Sequence, residues 1–161
     1  LDHDEEGIRL RAALYLAKSR YNPSLSFPVL ISAIDGNRKW VKNTILEFAD
    51  SAMPHLIKAL YPPHQLQVRI KVVDLLGEMG PAANQAVINL IELQKDPSEK
   101  IRIAALNSIL KITGQPERVI IGYNELLFAT NVYVRLEAVE SLLILGQEHT
   151  RIAYVLMNLL H

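Results

Sequence analysis

The chain has 161 residues, half of them apolar, which is enough for a domain with a buried core and argues against disorder. Lysine plus arginine and aspartate plus glutamate each number 17, so the formal net charge is zero. A nucleic-acid binder, which depends on neutralising phosphates, is therefore not expected. The lack of cysteine excludes disulfides, thiolate metal sites and cysteine nucleophiles.

The start of the chain and its hydropathy bear on how the protein is placed in a cell. The sequence begins at Leu1 and enters a charged helix start at once. No signal peptide is visible, and no apolar run approaches the ~18 residues of a membrane span. We expect a processed chain or a fragment of a longer protein, without a membrane span.

Two helical pairs are predicted before residue 63. Apolar residues recur there at spacings of three and four, which is the period of a helix. The acidic run 4–6 suits a helix N-terminus, and Asn22-Pro23 and Asp35-Gly36-Asn37 read as turns. The predicted helices are, in chain order, 7–14, 25–34, 40–48 and 52–60.

The rest of the chain repeats every 33 residues, and a fixed period in this range indicates a repeat array. The recurring triplets are Val68-Arg69-Ile70, Ile101-Arg102-Ile103 and Val134-Arg135-Leu136. Each opens an apolar, helix-spaced run that ends near a glycine: Gly80, Gly114 and Gly146. Asp96-Pro97-Ser98-Glu99 reads as a capped helix start. A second helical run follows each glycine, at roughly 82–95, 116–129 and 148–160.

This register predicts which positions face the core. Apolar columns are Ile70/Ile103/Leu136, Val73/Leu106/Val139, Leu76/Ile109/Leu142, Met79/Ile112/Leu145, Ala86/Val119/Ile152 and Leu93/Leu126/Leu159. A polar column, Asp74/Asn107/Glu140, falls where the first helix should face solvent. Alternating helices with such columns predict stacked antiparallel pairs.

The chain resembles HEAT-like repeat proteins over essentially its whole length. The resemblance is carried by Val68-Arg69 to Gly80, Asp96-Pro97 to Gly114, Asn131 to Gly146, and residues 52–57 as a typical second helix. It implies an all-α fold, a right-handed α-solenoid of about five HEAT-like helix pairs, or ten helices. The repeats of this single domain would be roughly 1–35, 36–62, 63–95, 96–129 and 130–161.

A finer resemblance concerns the last repeat. Residues 131–138, followed by Leu145-Gly146, are similar to a HEAT-like region appended to some bacterial sulfatase-like proteins. This resemblance implies an accessory domain at the C-terminal end of a larger secreted hydrolase. The nucleophile motif of sulfatases, Cys/Ser-x-Pro-x-Arg, does not occur in the chain.

The recurring arginines allow two interpretations. A row of Arg69, Arg102 and Arg135 could bind an acidic partner. Alternatively, each arginine could bond to carboxylates or helix-end carbonyls of the neighbouring repeat, which the flanking apolar residues favour. The HEAT-like resemblance implies a tie between the arginine and the aspartate of an Asp-Pro pair, and Asp96 matches that aspartate.

Residues with catalytic or metal-binding chemistry are scattered. No two of the five histidines stand three or four apart on one helix, and there is no phosphate-binding glycine loop. Some HEAT-like proteins excise damaged DNA bases, but Arg38, Lys39, Trp40 and Lys42 form only one small basic-aromatic cluster. We predict no enzyme activity, no metal, no cofactor and no nucleic-acid partner.

The second helices offer a better candidate site, because they line the concave face in this architecture. The register stacks polar, apolar and polar positions there, between the core columns. We call these nine residues the docking strip: Gln85, Ile88, Glu92, Arg118, Ile121, Glu125, Arg151, Tyr154 and Asn158. An ordinary solvated face is the alternative.

Taken together, the residues favour a non-catalytic interaction or scaffold module. It would bind a protein segment, or a neighbouring domain of the same chain, along the docking strip. The alternative function is the accessory domain of a larger secreted hydrolase.

Overall fold

The computed structural model describes residues 2–36, 38–147, 152 and 155–157, and residues 2–4 by their backbone alone. Nine α-helices occupy most of this part of the chain, and none of it is in a strand. They are α1 (Asp2–Lys18), α2 (Pro23–Ser32), α3 (Lys39–Glu47), α4 (Ala49–Ala59), α5 (Leu66–Met79), α6 (Val87–Glu92), α7 (Glu99–Thr113), α8 (Ile120–Leu126) and α9 (Val132–Ile144). The all-α prediction is confirmed over these residues.

Short 3-10 segments complete the second helical runs. They are Gly80–Ala86, Leu93–Lys95 and Pro116–Arg118. The tenth predicted helix, 148–160, lies mostly outside the described residues, and of it residues 152 and 155–157 are helical.

The chain divides into two compact units, Leu1–Met79 and Gly80–His161. The boundary falls inside the third predicted repeat, 63–95, so that α5 belongs to the first unit and α6 to the second. The prediction of one repeat domain over residues 1–161 stays a prediction.

In the first unit, α1 packs against α2, α2 against α4, and α4 against α5. Helix α4 shows how the sequence produces this packing. Met53, Leu56 and Ala59 recur at helical spacing and are buried, whereas Asp50 and Lys58 are exposed. The largest fully buried side chains in this unit are Phe27, Leu30, Ile31, Ile45, Met53, Leu56, Leu60, Leu75 and Leu76.

In the second unit, α7 is the central helix and contacts α6, α8, α9 and the 3-10 segment before α6. It approaches α8 closely at Gly122, which is buried. A Cβ atom at this position would lie 2.6 Å from Cδ2 of Leu106, a distance that side chains do not adopt. The missing side chain of Gly122 therefore sets the spacing of the two helices.

The helix ends follow the capping and stop signals predicted from the sequence, with one difference. Gly114 ends α7 in the left-handed conformation (φ 64°), which glycine adopts without steric cost. Asn131 caps α9, because its Oδ1 accepts hydrogen bonds from the N–H groups of Tyr133 (2.9 Å) and Val134 (3.4 Å). Ser98, at the start of α7, makes no such side-chain cap.

Three of the six predicted core columns are buried throughout, and the column of Leu93 is buried at its two described positions; elsewhere Ile70, Met79 and Leu145 are half-buried and Leu136 is exposed, while Leu159 lies outside the described residues. The columns through Leu106, Ile109 and Val119 are buried in all three repeats. Leu136 is exposed although its equivalent Ile103 is buried. The difference arises because α7 is covered by α6, α8 and α9, whereas α9 packs chiefly on α7 and α8 among the described elements.

In the polar column predicted to face solvent, Glu140 is exposed but Asp74 and Asn107 are half-buried. Asn107 also takes part in a hydrogen-bond network between three helices, so the prediction of a solvated position is wrong there.

Candidate functional site

The docking strip is exposed wherever the structure describes it. Its apolar members, Ile88 and Ile121, are 72% and 74% exposed, although each lies on a helix that also contributes to the core. The polar members Gln85, Glu92, Arg118 and Glu125 are exposed as well. Arg151, Tyr154 and Asn158 lie outside the described residues.

The strip is presented by amphipathic helices whose opposite face is fixed in the core. In α6, Leu90 is fully buried two positions after Ile88, and in α8 Tyr123 is fully buried two positions after Ile121. Burial of these neighbours forces the isoleucines outward, because residues two apart on a helix point in different directions. The two repeats therefore present equivalent exposed isoleucines on rigid elements.

The charges along the strip differ between the two repeats. In the fourth repeat a cation, Arg118, and a carboxylate, Glu125, flank Ile121. The Arg118 guanidinium donates a hydrogen bond from Nε to the side-chain oxygen of Gln115, which orients it. In the third repeat the neutral amide of Gln85 takes the place of the cation, and the carboxylate of Glu92 is retained.

The recurring arginines bond to main-chain carbonyls at or directly after the ends of the preceding second helical runs. Arg69 is only 8% exposed, and its Nε donates to the oxygen of Leu60 at 2.6 Å. Arg102 donates to the main-chain oxygens of Asp96 (2.9 Å) and Pro97 (3.4 Å). Arg135 likewise donates from Nη1 to two main-chain oxygens, those of Ala129 (2.8 Å) and Thr130 (3.1 Å).

For Arg69 and Arg135 these bonds confirm the interpretation in which the arginine contacts a helix-end carbonyl of the neighbouring repeat, whereas the acceptors of Arg102 lie at the start of its own repeat. The proposed contact between Arg102 and Asp96 exists, but through the main-chain oxygen of Asp96. The carboxylate oxygen Oδ1 of Asp96 accepts from the N–H of Ser98 at 2.8 Å.

Glu99 makes another connection between two consecutive repeats, which the sequence did not indicate. From the first turn of α7 its two carboxylate oxygens accept the N–H groups of Thr130 (2.7 Å) and Asn131 (2.8 Å), at the start of α9. These two hydrogen bonds lower the pKa of Glu99 below its ordinary value, with a smaller contribution from the charge of Arg102. The ionised carboxylate therefore fixes the N-terminus of the next first helix.

The polar network around Tyr123 was also missed. The Tyr123 hydroxyl donates to Oδ1 of Asn107 at 2.7 Å, and the Asn107 amide donates to Glu137 at 2.6 Å, so the network joins α8, α7 and α9. Burial, reinforced by the charge of Glu137, raises the pKa of Tyr123 to about 12. The sequence does carry a signal for this network. Tyr123 stands at the position of Leu90 in the 33-residue register, and a tyrosine hydroxyl placed at such a core position needs a hydrogen-bond partner.

The basic-aromatic cluster is largely neutralised by acids. Arg38 pairs with Glu6 at 2.7 Å, and Lys42 pairs with Glu78. Beside them lies a cavity of about 240 Å³. It is lined by four cations, Arg38, Lys39, Lys42 and Lys71, and by three acids, Asp35, Asp74 and Glu78. Side chains of both signs of charge therefore line this cavity.

A second cavity, of about 440 Å³, lies between α2 and α4. Its walls include Pro28 and Ile31 from α2, Pro54, His55 and Lys58 from α4, and His64 from the following loop. The His55 ring stacks on Phe27, with centroids 6.0 Å apart and planes inclined by 24°. Burial, and secondarily the charge of Lys58, lower the pKa of His55 below its ordinary value.

The described residues show neither a cluster of metal ligands nor a membrane-spanning helix. They contain no group of three or more His, Asp or Glu side chains placed to hold a metal ion. None of the described helices combines the length and the apolar character that crossing a membrane requires.

No protein-family model matches the chain, and no curated protein matches it significantly.

Proposed function

We propose that this chain is an array of HEAT-like helical pairs that acts as a non-catalytic interaction module. It binds a protein segment, or a neighbouring domain of the same chain, along the docking strip. The observation that carries the proposal is the pair of exposed isoleucines, Ile88 and Ile121, which stand 33 residues apart at equivalent positions. An apolar residue kept exposed in the same place of two repeats suits a contact surface better than a solvated one.

The architectural part of the proposal is a right-handed α-solenoid of five such pairs. Its support is local and recurs along the chain. Arg69 and Arg135 bond to main-chain oxygens of the preceding repeat, those of Leu60 and Ala129, whereas Arg102 bonds to those of Asp96 and Pro97, directly after the preceding second helical run. A recurring tie between one helical pair and the next is what a stack of repeats requires, because each repeat is stabilised by its neighbours.

The strip also specifies the chemistry of its partner. Each isoleucine offers an apolar anchor point, and an anchor contributes most when polar contacts around it exclude water. Arg118 suits a carboxylate of the partner, and Glu92 and Glu125 suit lysine or arginine. We therefore expect a segment with apolar side chains separated by charged ones.

Photo-crosslinking in the intact protein tests this proposal. A photoreactive amino acid is placed at position 88 or 121 in the native cells, and crosslinked peptides are identified by mass spectrometry. The affinity of the purified partner is then measured for the variant Arg118→Glu/Ile121→Asp. Loss of an apolar anchor and a reversed charge should weaken binding at least about tenfold, since 1.4 kcal/mol corresponds to that factor.

A matched control separates this surface from a general charge effect. Lys111 is exposed on α7, a first helix, and Lys111→Glu makes the same change of charge as Arg118→Glu. We expect its affinity for the partner to equal that of the wild type. Equal affinity of the strip variant and the wild type would refute the proposal.

A second candidate function is the accessory domain of a larger secreted hydrolase, possibly sulfatase-like. The first helical pair favours it, because Ile8, Tyr15, Tyr21 and Leu25 are all at least 60% exposed and would suit contact with another domain. The mass of the protein isolated from its native source tests this candidate. A mass of 18.1 kDa would refute it, and a larger chain with a hydrolase domain would support it.

A further inference from the structure

We propose that the cavity between α2 and α4 binds a small organic anion, a carboxylate carried on a short apolar or aromatic body. This site lies in the first unit and shares no residue with the docking strip. It therefore goes beyond the proposed interaction function.

The size and walls of the cavity suit the body of such a ligand. Its volume of about 440 Å³ lies within the range of roughly 300–1,000 Å³ that is usual for small-molecule sites. Pro28, Ile31 and Pro54 give it an apolar wall. An inorganic ion would leave this wall in contact with water, whereas an aromatic ring would cover it.

The polar groups of the cavity select a negative charge. They include Lys58, in the last turn of α4, together with His55 and His64. None of the described residues that line this cavity is acidic, in contrast to the 240 Å³ cavity, where three carboxylates accompany the lysines and the arginine. A carboxylate can pair with Lys58 while an imidazole N–H donates a hydrogen bond to it.

His55 is prepared for this contact. Stacking on Phe27 holds the plane of its ring, so little side-chain freedom is lost when a ligand binds. A metal ion is a poorer occupant of the site, because the cavity offers two imidazoles and no carboxylate as ligands.

NMR titration of the whole chain tests the proposal with phenylacetate as the probe. The ring signals of His55 and His64 should shift and saturate. Phenylacetamide has the same body without the charge, and acetate and inorganic phosphate carry charge without the body. Each of these three should bind at least about tenfold more weakly, since each lacks one of the two interactions.

Two lysine variants locate the binding. Lys58→Met removes the charge and keeps the side-chain length, and we expect it to weaken phenylacetate binding about tenfold. Lys95→Met changes an equally exposed lysine of the second unit and should leave binding unaltered.

Three results would overturn the proposal. The first is the lack of saturable shifts at about 10 mM phenylacetate, which would mean a binding free energy weaker than about −3 kcal/mol. The second is equal binding of phenylacetamide and phenylacetate. The third is undiminished binding of phenylacetate to the Lys58→Met variant.

Discussion

The close contact between Gly122 and Leu106 permits a test with two mutations. Leu106→Ala should reverse the sign of the stability change that Gly122→Ala causes. An alanine Cβ at position 122 would meet Cδ2, Cδ1 and Cγ of Leu106 at 2.6, 3.0 and 3.3 Å. Leu106 is only 1% exposed, so it has little room to move. Overpacking costs about 1–3 kcal/mol, while replacing glycine by alanine in a helix gains up to about 1 kcal/mol. We expect Gly122→Ala to destabilise the protein by about 1–2 kcal/mol.

Leu106→Ala alone removes a buried side chain and should cost about 2–5 kcal/mol. It also removes the three atoms that an alanine at position 122 would meet. In this background the clash is gone and the helical preference of alanine remains. Gly122→Ala should therefore stabilise the Leu106→Ala protein by up to about 1 kcal/mol, a coupling in the range expected for residues in contact.

The four proteins of this cycle are compared by urea unfolding, followed by far-UV circular dichroism. Gly7→Ala serves as the control, since nothing lies within 4 Å of a Cβ atom there and Gly7 is inside α1. It should be neutral or stabilising in both backgrounds. If Gly122→Ala lowers stability equally with and without Leu106, the assigned packing of α7 on α8 is wrong.

Three further predictions concern the helix ends and the ties between repeats, and thermal or urea unfolding checks each. Gly114→Ala should cost about 1 kcal/mol because of its positive φ, and Gly114→Asn should cost less. Arg69→Met should cost about 1.5–3 kcal/mol, since it leaves the buried oxygen of Leu60 without its charged donor, and a loss below 0.5 kcal/mol would contradict this. Glu99→Gln should destabilise at pH 7. Because the folded state lowers the pKa of Glu99, its stabilising effect is complete above the ordinary value near 4.5 and disappears as the pH falls through the lowered value. A difference between wild type and Glu99→Gln that persists unchanged at pH 2 would contradict the role of the ionised carboxylate.

Helices α5, α7 and α9 were the most predictable, because each carries an apolar stripe and a glycine follows its last turn: Gly80, Gly114 and Gly146. The 33-residue register added the core columns and the outward direction of Ile88 and Ile121. It treats all second helices alike, however, and so did not predict the 3-10 segment Gly80–Ala86. The spacing of its buried residues, Ala83 and Ala86, is three, which is the period of a 3-10 helix.

Contacts between distant parts of the chain could not be read from the repeat pattern. The cavity between α2 and α4 depends on how closely those helices approach, and its two histidines are nine positions apart, a spacing that predicts nothing. Glu99 reaches Thr130 and Asn131 only because α7 and α9 begin side by side. The Asn107 network is different, since a tyrosine in a leucine column did indicate that a polar partner must be near.

The acceptors of the three arginines have a consequence for how this sequence can change. The oxygens of Leu60, Asp96, Pro97, Ala129 and Thr130 that accept these bonds are main-chain atoms, and all residue types carry that group. The exposed residues Pro97 and Thr130 can therefore be exchanged for others without loss of the hydrogen bond, provided that the backbone conformation is kept, whereas the buried side chains of Leu60 and Ala129 restrict exchange there. The arginine has no such freedom, because a lysine lacks the Nε and Nη donors that reach these oxygens. The connecting loops are thus open to redesign, and a loop grafted from one repeat to another should keep the tie as long as the arginine is retained.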